Sequence, residues 1–234
     1  MAVILGKAYH DVPMNSVFLV RHGENRANIT KELSHRHVDY PLTEKGRLQA
    51  EQTARHFAAL KVDEVYSSPL KRALETAEAI AGGRGDRVRV LEEFREVNVG
   101  SLELAPDLDG SWRLYKEIVL GWLAGARERS FPDGENMVDL VERFRRGIAK
   151  VLAGKTDRNI VIVGHGGIFT FCVPEICDVG DRRRFFATES SNCAIGELGI
   201  SMEDGEIRGK LRRWADVGHL HGEAADFVSA MPRD

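Results

Sequence analysis

The stretch NIVIVG, residues 159–164, carries the strongest strand pattern in the chain and decides the fold. Its four central residues are β-branched and apolar, which favours a strand with both faces buried. Such a strand belongs in the middle of a sheet that helices cover on each side. The run VFLV, residues 17–20, has the same character. Each run is followed within two residues by a histidine that stands beside a glycine, His22 and His165.

Short runs with strand propensity alternate with helical patterns in the rest of the sequence. Thr43 is a suitable N-cap for a helix over residues 44–60, and residues 67–69 (SSP) are typical of the start of a second helix, which Gly82 and Gly83 would end. Further strands are predicted over residues 62–66, 87–91, 193–200 and 206–214. This alternation predicts an α/β fold, a three-layer αβα sandwich with a mostly parallel central sheet.

The length of the chain suits one domain, because 234 residues can bury a single large core. We therefore predict one domain over residues 1–234, with an N-terminal extension over residues 1–15. Residues 101–134 have no strand pattern, but aromatic residues recur there at near-helical spacing, namely Trp112, Tyr115 and Trp122. This segment is predicted to be a helical insertion over one end of the sheet.

The composition excludes several classes of partner. Lys and Arg number 33 against 36 Asp and Glu, a net charge of −3, so the chain lacks the basic excess that nucleic acid or an anionic membrane surface would require. Its longest apolar runs are too short to span a bilayer, and its first residues have no signal-peptide pattern. The odd set of cysteines, Cys172, Cys177 and Cys193, indicates reduced thiols and a cytoplasmic protein.

The ends of the two buried strands carry residues that suit phosphate chemistry. Ligands of open α/β sheets bind beyond the carboxyl ends of the strands, where His22 and His165 are expected. A neutral imidazole is a competent nucleophile, and the guanidinium of Arg21 presents donors that match phosphate. Arg72 stands in the first turn of the helix that follows another strand. Taken singly, each histidine could be a solvated loop residue and Arg72 a surface residue of an amphipathic helix.

Seven ordered motifs argue against interpreting these residues as ordinary loop and surface residues. They are RHGEN (21–25), DYPLTEKGRLQA (39–50), SSPLKRALETA (67–77), FREVNVGSLE (94–103), FPDGEN (131–136), VIVGHGGI (161–168) and SSNCAI (190–195). In this order and spacing the chain resembles the histidine phosphatase superfamily, which includes cofactor-dependent phosphoglycerate mutase. The resemblance covers roughly residues 16–200, and it implies the fold of that family.

The resemblance also implies roles for the phosphate-binding residues. His22 matches the nucleophile that becomes a phosphohistidine, and His165 matches the second histidine of the phosphate pocket. Arg21 and Arg72 match the two arginines that bind the phosphate. Asn28 is similarly placed to a polar residue that contacts the phosphoryl group. The backbone N–H of Gly166 matches one that faces the phosphate.

The proton donor implied by the resemblance is Glu96, which lies four residues before Gly100. Glu93 is a competitor for this role, and the spacing to Gly100 favours Glu96. Glu96 has to be protonated before it can act as an acid. His22 has to be neutral at one nitrogen, with the other nitrogen donating to a fixed group such as a backbone carbonyl. A partly protonated His165 is expected to add to the positive charge that binds the phosphate.

These expectations describe a metal-independent phosphomonoesterase that acts on a small phosphorylated metabolite. No metal ion is needed, because the cationic side chains supply the charge. The HxH pairs at residues 35–37 and 219–221 lack a third ligand in the sequence and are read as loop residues. Two features differ from the family pattern: Leu104 replaces a common glycine, and the segment between Gly100 and Phe131 is shorter than the insertion of the mutases.

Two alternatives remain open at this point. The first is a phosphoglycerate mutase, which would use 2,3-bisphosphoglycerate as cofactor and needs a site that excludes water. The short segment before Phe131 favours a phosphatase over this alternative. The second is a scaffold without activity that binds phosphorylated partners, which the full set of site residues disfavours. The sequence leaves the oligomeric state open, with a homodimer as one possibility.

Overall fold

The computed structural model describes residues 14–82 and 87–229. Its described residues form one six-stranded sheet in the order β3-β2-β4-β1-β5-β6. The strands are β1 (Asn15–Arg21), β2 (Glu64–Ser67), β3 (Val88–Val90), β4 (Asn159–Gly164), β5 (Ile195–Glu203) and β6 (Glu206–Asp216). The stretch with the strongest strand pattern, β4, occupies the interior of the sheet, as its apolar faces predict.

The register of the parallel strands determines where the site lies. Strands β1, β2 and β4 run parallel, with Val20 and Ser67 both opposite Val163 of β4. Three consecutive strands therefore end at the same level, and the residues that follow them come together at one edge of the sheet. Strands β5 and β6 are antiparallel to their neighbours. The prediction of a mostly parallel sheet is thus confirmed.

Helices cover both faces of the sheet. They are α1 (Arg26–Thr30), α2 (Glu44–Ala58), α3 (Lys71–Ile80), α4 (Leu108–Leu123), α5 (Met137–Leu152), α6 (Gly166–Ile176) and α7 (Arg182–Ala187). Apolar residues of α2 and α3 pack on one face with Val161 and Val163. Residues of α5 and α6 pack on the other face with Ile160 and Ile162. The predicted three-layer αβα sandwich is therefore the observed architecture, because alternate residues of β4 point to opposite faces.

The segment predicted as a helical insertion contains a short 3₁₀ helix, Gly100–Leu104, and α4. Ile118 and Trp122 of α4 are buried in the same apolar cluster as α5 and α6. At the other end of α4, the indole N–H of Trp112 donates to the backbone carbonyl of Lys31 at 2.7 Å. This hydrogen bond joins the segment to the loop that follows α1, so α4 extends across the end of the sheet.

The ends of the described chain bear on two further expectations. Asn15 already belongs to β1, one residue inside the predicted N-terminal extension, and residues 1–13 lie outside the described residues. Gly83, expected to end the second helix, also lies outside them. The three cysteines are buried and unpaired. Among the described residues, none of the helices combines the length and hydrophobicity that crossing a lipid bilayer requires.

Candidate active site

His22 follows the end of β1 and is held at both ring nitrogens. Its Nδ1 lies 2.7 Å from the carbonyl oxygen of Gly23, and its Nε2 accepts the Nε–H of Arg72 at 3.0 Å. Only the neutral ring with its proton on Nδ1 satisfies both contacts. Burial lowers the pKa of His22 well below 6.5, and the charges of Arg72 and Arg21 lower it further. The Nε2 atom is thus unprotonated and lies beside a cation.

The turn after β1 fixes the backbone on both sides of this ring. A Cβ on Gly23 would lie 2.5 Å from the carbonyl oxygen of Gly46, so the close contact with α2 requires a glycine. The Gly23 N–H donates to Oγ1 of Thr76 on α3 at 3.1 Å. The carbonyl of His22 accepts from Nδ2 of Asn192, before β5, at 3.0 Å. Contacts from three separate elements therefore set the direction of the imidazole.

Arg72 stands in the first turn of α3 and is almost completely buried. Besides its contact with His22, it donates to Oγ of Ser34 at 2.8 Å and to the carbonyl of Ser34 at 2.9 Å, through different terminal nitrogens. Burial lowers the pKa of Arg72 to about 10, so it remains a cation at neutral pH. Each terminal nitrogen keeps a second N–H that a ligand can use.

Arg21 ends β1, opposite Gly164 of β4, and its side chain lines the same cavity as His22. One terminal nitrogen donates to the carbonyl of Ser190. Its Nε is buried and has no hydrogen-bond partner among the described residues. Burial lowers the pKa of Arg21, while Glu96 and Glu189 act in the opposite direction. A buried cationic donor without an acceptor suits an anionic ligand, because leaving it unpaired is costly.

His165 follows β4 and is the N-cap residue of α6. Its Nε2 lies 2.7 Å from Oγ of Ser68, while its buried Nδ1 has no partner in the described part of the chain. The centres of the His165 and His22 rings are 5.1 Å apart. Burial, followed by the charge of Arg72, lowers the pKa of His165 well below 6.5. In the site without a ligand, the neighbouring cations therefore oppose a charge on His165, and its partial protonation when phosphate is bound stays a prediction.

Glu96 lies between the cavity and the N-terminus of α6. Its Oε1 accepts the backbone N–H groups of Val97 at 2.9 Å and Ile168 at 2.8 Å, and its Oε2 accepts that of Gly167 at 3.1 Å. Oε2 therefore has more room for a proton than Oε1. Glu93, the competitor in the sequence, forms an ion pair with Lys150 and does not line the cavity.

Asn28 and Gly166 both line the cavity. The side-chain oxygen of Asn28 accepts the backbone N–H of Asn25 at 3.1 Å and Nδ2 of Asn192 at 3.0 Å. These contacts leave its NH₂ group as the donor for a ligand. Gly166 is the first residue of α6, where backbone N–H groups and the helix dipole favour an anion. A Cβ at this position would lie 3.4 Å from Nε of Arg21, so the start of α6 is in contact with that cation.

The cavity has a volume of about 380 Å³ and continues beyond these groups. Its far side is formed by the loop before residue 35, by α4, by α6 and by residues 186–190. Trp112 and Tyr115 of the helical segment line it, whereas Trp122 belongs to the core. In the loop after α1, Glu32, Leu33 and Ser34 line the cavity, whereas residues 35–40 do not.

Comparison with known proteins identifies the family. Residues 17–215 match the sequence model of the histidine phosphatase superfamily, branch 1. The chain belongs to this superfamily. A protein of Hydrogenobacter thermophilus with the provisional name phosphoserine phosphatase 2 is 32% identical over 190 residues, which cover 81% of this chain and 92% of the relative.

One further relative and one solved structure are also similar to this histidine phosphatase. A protein of Escherichia fergusonii with the provisional name phosphoglycerate mutase GpmB is 30% identical over 222 residues, 91% of this chain and 98% of the relative. The structure of Bacillus stearothermophilus YhfR has a TM-score of 0.71 at 23% identity, covers 88% of this chain and 98% of YhfR, and shows the shared fold. The predicted family is confirmed. The enzyme class is confirmed through relatives with phosphatase names, with the mutase as runner-up.

Several residues that support the site of this histidine phosphatase are not predicted from the sequence. The clearest is Glu103, whose Oε1 accepts backbone N–H groups at 2.7 to 3.1 Å from four successive residues, His35, Arg36, His37 and Val38. These hydrogen bonds lower the pKa of Glu103 against the effect of burial. The loop they hold begins at Ser34, the partner of Arg72. Glu103 is within a family motif, yet its partners are backbone groups that a sequence does not reveal.

The HxH pairs lie away from the reacting nitrogen of His22. Nδ1 of His35 contacts the carbonyl of Glu96 at 3.0 Å, and Nε2 of His219 contacts Oγ1 of Thr53 at 3.0 Å. Within residues 14–82 and 87–229, no group of three or more His, Cys, Asp or Glu side chains is arranged to hold a metal ion. The family is metal-independent in general, and the cations of this site are the two arginines.

Proposed function

We propose that this histidine phosphatase hydrolyses a small phosphomonoester through a phosphohistidine on His22, without a metal ion. One observation carries the proposal: an unprotonated Nε2 lies among buried donors that converge from three strand ends. Two of these groups, Nε of Arg21 and Nδ1 of His165, have no partner among the described residues, and Nδ1 is a donor when Nε2 of His165 accepts the hydroxyl of Ser68. The oxygens of a phosphoryl group would supply the acceptors for them.

In the first step, Nε2 of His22 attacks the phosphorus and the bond to the leaving oxygen breaks. The leaving oxygen takes the proton from Oε2 of Glu96, and the alcohol departs. The hydrogen bond from Arg72 to Nε2 has to pass to a phosphoryl oxygen before the attack, because it occupies the attacking lone pair. The positive charge that develops on the ring is stabilised by the carbonyl of Gly23 at Nδ1.

In the second step, water attacks the phosphohistidine. The carboxylate of Glu96 takes a proton from the water, the bond between phosphorus and Nε2 breaks, and its electron pair returns to the imidazole. Inorganic phosphate leaves, and both groups are restored. The same carboxyl group therefore serves as acid and then as base.

The remaining residues bind the phosphoryl group. Arg21 and Arg72 offset its charge of about −1.5 to −2 and contact its equatorial oxygens. His165, the N–H of Gly166 and the side-chain amide of Asn28 supply further donors. The entering negative charge would also favour protonation of His165, which the arginines oppose in the empty site.

The experiment that tests this proposal is a rapid-quench reaction with a radiolabelled phosphomonoester in the presence of a chelator. We expect label on the protein that is lost in acid and stable in base, as for a phosphohistidine. The variant His22→Asn should take up no label, while the control His37→Asn, an exposed histidine outside the cavity, should be labelled like the parent protein. Label that persists in His22→Asn, or turnover that stops when metal is removed, would contradict the proposal.

The mutase is the second candidate, because the GpmB-named relative is similar over nearly the whole chain. A mutase converts 3-phosphoglycerate to 2-phosphoglycerate faster than it releases phosphate, and 2,3-bisphosphoglycerate stimulates it. Assaying both products in one reaction separates the candidates. We expect phosphate release to exceed isomerisation at every concentration of the bisphosphate.

A further inference from the structure

The cavity has a second half that binds no phosphoryl group in the proposed mechanism. Aromatic and aliphatic side chains form its wall, including Trp112, Tyr115, Phe171, Phe186 and Val99. They come from α4, from α6, from α7 and from the residue before the 3₁₀ helix Gly100–Leu104. This half therefore faces whatever group the phosphate is attached to.

The rings of this wall are held in place by their own contacts. Trp112 and Tyr115 lie edge to face with ring centres 5.1 Å apart, and Tyr115 stacks on buried Phe131 at 5.4 Å. Phe171 packs against buried Trp122 at 5.5 Å. The indole N–H of Trp112 is already used by the carbonyl of Lys31. The wall therefore presents mainly ring and aliphatic surface, which favours an apolar or planar group over a polar one.

The charges of the cavity also favour an uncharged group at this end. Among the described lining residues, the cations are Arg21 and Arg72, and both belong to the phosphate end. The other charged groups that line the cavity are carboxylates: Glu96 at the reacting end, Glu189, which interacts with Arg21, and Glu32. Among the described lining residues, the cations that could neutralise a second anionic group on the substrate are the same two arginines that bind the phosphate.

We propose that the substrate is a phosphomonoester of an uncharged alcohol with an aromatic or alicyclic ring, and that a carboxylate or second phosphate on the alcohol is rejected. This inference rests on the proposed phosphatase function and narrows it. It separates the chain from the substrates in its relatives' names, phosphoserine and phosphoglycerate, which both carry a carboxylate. It also disfavours the mutase, whose substrate and cofactor are multiply anionic.

The test uses three esters of matched shape with the full-length protein: benzyl phosphate, 4-carbamoylbenzyl phosphate and 4-carboxybenzyl phosphate. The methylene group insulates the leaving oxygen, so the amide and the acid differ mainly in charge. We expect kcat/KM for the amide to exceed that for the acid about tenfold or more, because of repulsion by the carboxylates. Equal values, or a preference for the acid, would overturn the inference.

Variants of the carboxylates and of the wall give a second readout. The double variant Glu32→Gln/Glu189→Gln should reduce the gap between amide and acid by about half on a logarithmic scale or more. Trp112→Ala should lower kcat/KM for benzyl phosphate about tenfold and for propyl phosphate less than about twofold. Trp112→Phe should keep most of the preference for benzyl phosphate over propyl phosphate. An unchanged gap, or equal losses with both alcohols, would contradict the assignment of selectivity to these residues.

Different experimental results would show that this inference is wrong and that the proposed function is wrong. If none of the esters, including phosphoserine and 3-phosphoglycerate, is hydrolysed and His22 is never labelled, the proposed function is wrong. If the acidic esters are preferred and His22 is labelled, the function stands and the inference about the substrate falls.

Discussion

The two ends of the cavity are built in different ways. At the phosphate end, His22 and His165 directly follow parallel strands whose register brings them together, and backbone carbonyl groups hold the His22 ring and both arginines. At the far end, Trp112 and its neighbours are placed by packing between side chains. Placement by backbone allows little variation, whereas a packed wall can change shape with a few substitutions. We infer that the reaction is determined at the first end and the choice of substrate at the second.

The largest expected effect is at the phosphate end. His22→Asn keeps the size and polarity of the side chain but removes the nucleophile, so kcat/KM should fall by about 10⁴-fold or more. Steady-state hydrolysis of benzyl phosphate measures it. A loss of less than about tenfold would mean that the reaction does not pass through His22.

The second prediction tests whether the planar guanidinium of Arg72 is needed in addition to its positive charge. Arg72→Lys keeps the charge but loses the planar set of donors that contacts His22 and Ser34, and kcat/KM should fall about a hundredfold. The control Arg183→Lys replaces an exposed arginine and should leave kcat/KM unchanged. Full activity of Arg72→Lys would show that charge alone suffices at this position.

A third variant acts through the loop that joins the two ends. Glu103→Gln replaces the carboxylate on which the N–H groups of residues 35–38 converge, and unfolding free energy should fall by about 2 kcal/mol. Because Ser34 at the start of that loop holds Arg72, kcat should also fall about tenfold while KM for benzyl phosphate changes less. Urea unfolding and steady-state kinetics measure the two effects. Glu51→Gln, at an exposed position of α2, is the control and should change neither.

The last prediction concerns the dependence of stability on pH. The pKa values of His22 and His165 are lowered in the folded protein, so below the usual value of 6.5 the unfolded chain binds more protons. The contribution of these two histidines to the unfolding free energy should therefore be fully present above pH 6.5 and should fall as the pH decreases toward 5. Each histidine contributes about 1.4 kcal/mol per pH unit at the lower end of this range. Replacing both by asparagine should reduce the slope of the unfolding free energy, measured in urea, against pH, and the lowered pKa values of His35 and His219 should account for part of the slope that remains. An unchanged slope would mean that the rings of His22 and His165 are not buried as neutral groups.

The sequence predicts the phosphate end well for a physical reason. Strand patterns such as NIVIVG and VFLV identify buried parallel strands, and parallel strands present their carboxyl ends at one edge. The residues after them, His22 and His165, can therefore be placed together from the sequence alone. Arg72 follows the same logic, because its helix starts after β2, the other neighbour of β4.

The sequence predicts much less about the groups that surround these residues. Glu103 and Ser34 act on backbone groups, which every sequence contains. The protonation of His165 depends on how deeply it is buried beside Arg72 and Arg21, which its position in a motif does not reveal. Which of Trp112, Tyr115 and Trp122 faces the cavity depends on the angle at which α4 crosses the sheet. These details require the three-dimensional arrangement.

The central claim is that the groups at the strand ends converge on one tetrahedral anion. A crystal structure of the protein with vanadate, which takes the place of a phosphoryl group in transfer, tests this most directly. The account predicts vanadium bonded to Nε2 of His22, with vanadate oxygens hydrogen-bonded to Arg21, Arg72 and Nδ1 of His165. Vanadate bound elsewhere, or bound with His22 still in contact with Arg72 and not with vanadium, would contradict it.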